Sequence, residues 1–432
     1  MQPNATNPDR MGNSEQSVPT IVEHLFRHES GRLVSNLARS IGLARLDLAE
    51  EAVQDALIQA LRRWPFHGIP QNPTGWLAQV ARNRVIDILR RQTNFEKKKE
   101  DFAHARMPEL PRETDLGDDE LADDQLAMIF ACCHPLIPRD ARIALTLKSV
   151  GGFSVEEIAK AFFAAPTAIA QRLVRAKKRI KEKGISLSLP DIEEKTGRLD
   201  TVLRVLYLIF NEGYTAHSGD RLIRRDLCAE AIRLTSLLST RAETNGPKTQ
   251  ALLALLLLQA ARFPGREDES GELLLLDDQD RNRWDRELIR RGLFHLGESA
   301  CGDDLSEYHL QAGLASLHVT APSVDAVDWK AVLWHYDRLL AISHSPVVAL
   351  NRVVALSRIE GPAAGLQALA QIENSKALQN YYLLPSTKGD LLRRLGQPAE
   401  AAEEFKRALA TGCSTPEMRF LQRRLQECSA DG

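Results

Sequence analysis

The 432 residues are 44% hydrophobic, 26% charged and 6% aromatic. That balance fits a Leu- and Ala-rich helical protein of one to three domains with ample length for real cores. The longest purely apolar run, Ala251–Leu258, is eight residues and far too short to cross a bilayer, so no membrane role is expected. The first twenty residues are polar and lack a basic-then-apolar signal pattern, so residues 1–19 are expected to be a disordered lead-in. Cys132, Cys133, Cys228, Cys301, Cys413 and Cys428 form no spacing framework, which fits a reducing cytoplasm. Cys132-Cys133-His134 has no second ligand pair at zinc spacing after it, and no metal is expected.

The net charge of −2 conceals a partition. Residues 20–92 carry 10 Lys and Arg against 7 Asp and Glu, and residues 126–185 carry 11 against 4. Between them, residues 93–125 carry 5 against 11, and residues 186–432 hold 29 against 34. Two basic blocks joined by an acidic connector read as a bipartite nucleic-acid binder, and the acidic remainder as a part that meets protein or a small ligand.

In chain order, Val22, Leu25, Phe26, Leu33 and Leu37 form a first helical stripe that Gly42 breaks. A second helix, Leu46–Trp64, has a core stripe of Ala49, Val53, Ala56, Leu57, Ala60 and Trp64. Roughly opposite lie Glu51, Gln54, Asp55 and Ile58, an acidic and apolar patch of the kind found on docking surfaces and, singly, on ordinary ones. The loop Pro65–Gly75 holds three prolines, two glycines, Phe66, His67 and Asn72. Thr74 is a helix cap for Trp76–Gln92, where Leu77, Ala81, Val85, Ile88 and Leu89 share one side. Gln79, Arg82, Asn83, Asp87 and Arg90 gather opposite, with Ile86 at the centre of the polar arc. Such side chains suit phosphates and base edges; the same pattern also describes a solvated amphipathic face.

Residues 93–125 have no period and read as a linker. A second helical part starts near Leu126, and Ala141–Val150 is a helix within it. Ser154-Val155-Glu156-Glu157 is a capping box opening a short helix, and Ala164–Pro166 turns the chain into another. In that second helix Ile169, Leu173, Ala176 and Ile180 form a clean core stripe, with Thr167, Gln171, Arg175 and Lys178 opposite and Arg172 and Arg179 on the flank. Helix, short turn and a helix with a basic outer face is the helix-turn-helix pattern, although two bundle helices with a solvated basic face would look alike.

From Ser186 onward the pattern is helical, with candidates at Asp200–Phe210, Leu222–Leu238, Thr249–Arg262, Trp284–Leu296, Leu305–Val319 and Trp329–Ile342. Gly361-Pro362-Ala363-Ala364-Gly365 and Gly396-Gln397-Pro398-Ala399-Glu400-Ala401 echo each other 36 residues apart. Gly389, Ala401, Phe405 and Ala408 occupy the small, small, aromatic, small positions of a tetratricopeptide helix pair, so stacked helix hairpins are expected near 346–411. Asn211, Glu212 and His217, then Asp277, Asp278 and Asp280, then His309, have no spacing that demands metal or nucleophile chemistry, so no catalytic residue and no cofactor are expected.

The segments LDLAEEAVQDALIQALRRWP and WLAQVARNRVIDILRRQ together resemble the second region of sigma-70-type initiation factors, and FSVEEIAKAFFAAPTAIAQRLVRAKKRI resembles their fourth. The short acidic connector with no third region is similar to the extracytoplasmic-function (ECF) class, and the long helical extension to its subgroup with a tetratricopeptide-like domain. The resemblance implies an all-α chain ordered as a region 2 domain (20–92), a linker (93–125), a region 4 helix-turn-helix domain (126–185) and a helical C-terminal domain (186–432). It implies that Glu50, Glu51, Gln54, Asp55 and Ile58 dock core RNA polymerase. It also implies that the loop and helix carrying Trp64, Phe66, His67, Asn72, Trp76, Gln79, Arg82, Asn83, Asp87 and Arg90 recognise and help melt the −10 promoter element. Thr167, Gln171, Arg172, Arg175, Lys178 and Arg179 would meet the −35 element. Pro166 and Ala168 stand where relatives often carry polar residues, which shifts base readout towards Gln171, Arg172 and Arg175. Arg84, at the edge of the apolar stripe, either reaches a phosphate or pairs internally. The C-terminal domain would regulate activity by meeting a protein or ligand. The alternative is a one-component DNA-binding regulator with a helical sensing domain, a reading that leaves the Leu46–Trp64 and Trp76–Arg91 pair unexplained.

Overall fold

A computed structural model describes residues 18–97, 118–162, 164–189, 192–214, 224–266, 268, 274–302 and 305–430. Among these residues every regular element is helical, as the apolar periodicity predicts. The residues 1–17, the stretch 98–117 of the predicted linker, and His217 lie outside the described residues. The chain divides into two compact units: one runs up to Lys160 and from Ala164 to Arg198, and the other takes Leu199 onward together with Ala161 and Phe162.

The first unit holds α1 (Val18–Ile41), α2 (Leu46–His67), α3 (Pro73–Lys97), α4 (Asp118–Cys132), α5 (Arg139–Ser149), α6 (Val155–Ala161) and α7 (Pro166–Lys183). Helices α1, α2 and α3 pack as a bundle over Leu33, Leu37, Val53, Leu57, Leu77 and Val85. Helix α3 starts at Pro73 rather than Trp76, and its cap is Asn72, whose Oδ1 accepts the Gly75 amide at 2.8 Å; the expected cap Thr74 lies inside the helix. The helical pattern also runs beyond the predicted ends of the linker, to Lys97 and from Asp118.

The second half of helix α4 is apolar on every side: from Leu126 to Cys133 each residue is at most 2% exposed. A helix of that kind is surrounded by protein, and α4 packs on both α1 and α5. Gly31 of α1 touches backbone directly, since an added Cβ would stand 1.8 Å from the Val150 carbonyl oxygen at the end of α5. The capping box forms as predicted, the Ser154 amide donating to Glu157 Oε2 at 2.8 Å and the Glu157 amide to Ser154 Oγ at 3.0 Å. Helix α7 buries Ile169, Leu173, Ala176 and Ile180, the predicted stripe, and ends at Gly184 in the left-handed region.

Helix α8 (Ile192–Tyr214) runs into the second unit, which continues with α9 (Arg225–Ser239), α10 (Pro247–Ala260), α11 (Arg286–Ser299), α12 (Glu307–Thr320), α13 (Trp329–Ser343), α14 (Pro346–Ile359), α15 (Pro362–Ala370), α16 (Leu383–Arg394), α17 (Pro398–Thr411) and α18 (Thr415–Ala430). Its axis is α10, buried from Thr249 through Leu258. Helices α16 and α17 cross tightly at Gly389, where a Cβ would meet Phe405 Cε1 at 2.9 Å; Ala401, Phe405 and Ala408 are all buried there, as the predicted crossing requires.

Candidate promoter and polymerase interface

The end of α2 presents a basic and aromatic tip. Its last turn includes Pro65 and stops at Gly68, whose φ of 80° is readily adopted only without a side chain. Beyond the buried Trp64, Phe66 is 84% exposed, beside exposed Arg62, Arg63 and His67. Trp64 itself is 2% exposed and meets Trp76 edge-on at 5.5 Å between ring centroids. It is a core residue and cannot stack on a base, which corrects its assignment to the −10 set. Arg62 and Arg63 were missed; the doublet before the aromatic pair is the sequence signal for them.

Along α3, Asn83, Asp87 and Arg90 are exposed and Gln79 is half-buried, its Nε2 donating to Asn83 Oδ1 at 2.9 Å. Arg82, placed in the polar arc, is only 8% exposed. At about 100° per residue Arg82 falls roughly 20° from Leu89, on the shoulder of the core stripe, so its guanidinium is drawn into the protein. Ile86 is half-buried. Arg84 pairs internally, Nε to Asp55 Oδ2 at 2.7 Å, with Glu51 Oε1 4.0 Å away.

Those pairs change the acidic patch. Glu51, Gln54 and Ile58 face outward, and Leu61, also 43% exposed, extends the apolar strip of Ile58 by one turn. Asp55 is held by Arg84. Glu50 is fully engaged: Ser149 Oγ donates to Oε1 at 2.6 Å, and Lys177 Nζ donates to Oε2 at 2.7 Å. Lys177 Nζ also donates to Asp47 Oδ1 at 2.6 Å. Burial alone would lower the Lys177 pKa, but Glu50 and Asp47 outweigh it and hold the ammonium above its ordinary range. Glu50 as an open docking residue is therefore corrected for this conformation.

On α7 the outer face is open. Thr167, Gln171, Arg175, Lys178 and Arg179 are exposed, and Arg175 donates to Gln171 Oε1 at 3.3 Å. Arg172 instead pairs with Asp140 at 3.3 Å, so it is less free to read a base than the sequence suggests. Val174, 65% exposed among these polar groups, offers the apolar contact a thymine methyl takes in the major groove. Its place one turn from Gln171 and Lys178 was the available signal.

Cys132 and Cys133, at the end of α4, are buried. Burial pushes the Cys133 thiol up to about 12, so neither a thiolate nor a metal ligand is favoured there. Among the described residues no group of three or more His, Cys, Asp or Glu could hold a metal ion, and no helix is long and apolar enough to cross a membrane.

An α2–α3 pair with a basic, aromatic tip, and a helix-turn-helix with an open basic face, are the features of a DNA-binding protein. Residues 26–95 match the family Sigma-70 region 2, residues 127–180 match Sigma-70, region 4, and residues 198–300 match a family of unknown function, DUF6596. The chain is 39% identical over 398 residues to an uncharacterized protein of Rhizobium meliloti (strain 1021), covering 89% of this chain and 91% of that protein. No solved structure matches it. The two sigma-70 regions support a sigma-70 family RNA polymerase sigma factor, a protein that binds core RNA polymerase and promoter DNA.

Proposed function

We propose that this chain is a sigma factor of the ECF type that directs core polymerase to a dedicated set of promoters in the cytoplasm. The exposed Phe66 at the basic tip of α2 carries the reading: a large open aromatic ring beside Arg62, Arg63 and His67 joins a stacking surface for a base to cations that attract the phosphate backbone. Helix α3 with Asn72, Gln79, Asn83, Asp87 and Arg90 recognises the −10 element. Phe66 and His67 receive unpaired bases as the duplex melts. Helix α7 enters the major groove at −35 through Gln171, Val174 and Arg175, while Lys178 and Arg179 hold phosphates. Glu51, Gln54, Ile58 and Leu61 supply the face that meets polymerase. The work is recognition, with no bond made or broken by the protein.

The C-terminal unit, with its tetratricopeptide-like α16–α17 crossing, modulates this activity by meeting a protein or small ligand. In vitro transcription tests the assignment: core polymerase plus the intact chain initiates from a cognate promoter with no other sigma factor present. DNA binding without any transcript or association with core would return the one-component regulator. Ending the chain at Ser186 changes promoter output several-fold; equal output from both forms would remove the modulating role.

A further inference from the structure

Arginines of the second unit collect in one place, and negative charge does not collect with them. Arg262 and Arg266 follow the end of α10, and Arg281 stands shortly before α11. The Cζ atoms of Arg281 and Arg262 lie 4.6 and 5.6 Å from the ring centroid of the buried Trp284. Their hydrogen bonds end on neutral oxygens. Arg262 Nη2 donates to Gln279 Oε1 at 3.2 Å, and Arg266 Nη1 to the Tyr214 carbonyl at 2.9 Å. Arg281 Nη1 donates to the carbonyls of His318 at 2.6 Å and Ala321 at 2.9 Å. Arg262 Nε, Arg281 Nη2 and His318 Nδ1 are buried and have no hydrogen-bond partner among the described residues. Asp277, the carboxylate whose field reaches Arg281 and His318, is itself paired with Arg358 of α14.

Such a cluster is short of an anion. Buried donors are ordinarily bonded, and a guanidinium drawn out of water is ordinarily paired, because unpaired burial of charge is costly. Burial lowers the pKa of Arg262 and of Arg281, and repulsion from Arg266 on the first and from Arg262 on the second adds to it. Beside the cluster opens a cavity of about 580 Å³, a size that suits a small molecule. Its wall includes Asp277, Gln279, Asp280, Arg281, Val319 and Ala321. Asp280 is occupied there, accepting the Asn282 amide at 2.9 Å. Arg281 thus meets the cavity directly, and Arg262 stands one side chain behind it, through Gln279.

We propose that this cavity binds a small organic oxyanion, a carboxylate or a phosphate ester, with Arg281 as its first contact and Arg262, behind Gln279, supplying the field that favours it. The proposal rests on the reading of the second unit as a modulator that meets a small ligand. A guanidinium fork matches two oxygens of either head group. Val319 and Ala321 give the rest of the molecule an apolar wall. Occupancy offsets the repulsion among the arginines, so the ligand stabilises the place where α10, α11 and α12 pack together.

Thermal unfolding of the intact chain tests it with inorganic phosphate, succinate and, at matched ionic strength, sodium chloride. At about 10 mM, phosphate or succinate raises the midpoint by about 3–10 °C, the shift that a dissociation constant of about 0.1–1 mM produces, and chloride does not. Which of the two acts distinguishes the phosphate ester from the carboxylate. In isothermal titration Arg281→Gln weakens the active anion by about tenfold or more and Arg262→Gln by about three- to tenfold. Arg290→Gln, on the exposed surface of α11, leaves the affinity unchanged. Arg262 gives up only its bond to Gln279, so Arg262→Gln without anion keeps its midpoint within about 3 °C of the intact chain. No shift with either oxyanion, or a shift that survives in both Arg281→Gln and Arg262→Gln, overturns the site. Binding that passes these tests but leaves promoter output unmoved at saturation overturns the modulator reading instead, and the site stands.

Discussion

Phe66 and Trp64 stand two residues apart in sequence and at opposite extremes of exposure, 84% and 2%. Their replacements by alanine should separate recognition from stability. Phe66→Ala leaves the thermal midpoint nearly unchanged, within about 0.5 kcal/mol, but costs about 1–3 kcal/mol of promoter opening through a lost stack; permanganate reactivity of the melted strand reads the second effect. Trp64→Ala costs about 3–5 kcal/mol of stability from the cavity it leaves, seen in denaturant unfolding. Sequence periodicity found the buried stripe of α7 and the Trp64 core position outright, because burial repeats with the helix. It could not foresee that Glu50 and Asp55 spend their charge inside the protein. Their partners Lys177 and Arg84 lie 127 and 29 residues away, a separation that no local spacing encodes. Arg82 was the avoidable miss, since its angle places it beside Leu89.

At the scale of elements, α7 combines a buried stripe with an open cationic face, and that division sets its expected salt response. Lys178 and Arg179, the proposed phosphate contacts, are both exposed. Each alanine replacement that removes one phosphate contact flattens the slope of log affinity against log salt by about 0.9. Fluorescence titration of promoter DNA at several salt concentrations measures it. Helices α16 and α17 make the opposite kind of prediction, about packing alone. A methyl group at Gly389 would stand 2.9 Å from Phe405. Gly389→Ala therefore destabilises the crossing by about 1–3 kcal/mol, detectable as a lowered thermal midpoint, whereas Gly297→Ala, with open space around the added carbon, does not. The Gly389–Phe405 contact was legible in the sequence because the repeat fixes which small residue faces which ring.

For the molecule as a whole, acid should weaken the second unit before it alters the DNA-reading surface. His318 is half-buried there, and loss of water around its ring, with Arg262 and Arg281 nearby, lowers its pKa to about 4. The unfolded chain takes up that proton near pH 6.5 and the folded chain does not, so the stability contributed by the neutral ring is complete above pH 6.5 and is lost as pH falls towards 4. The loss approaches roughly 3 kcal/mol, by about 1.36 kcal/mol per pKa unit; denaturant unfolding at pH 7 and pH 4.5 shows it, and His318→Gln flattens that part of the difference. Among the described residues, most helices before α18 were readable from the apolar rhythm, whereas α18 was not expected and the division at Arg198 and Leu199 was not readable, because α8 runs through it unbroken. Helix α4 carries a consequence for kinship between such proteins. Since it is buried by both α1 and α5, the two readers form one heritable module: a chimera that couples this α4–α7 block to a foreign α1 would lack Gly31, Asn36 and Arg39 at the places that receive Val150 and Asp124, and promoter specificities exchanged between relatives should travel with α1 included.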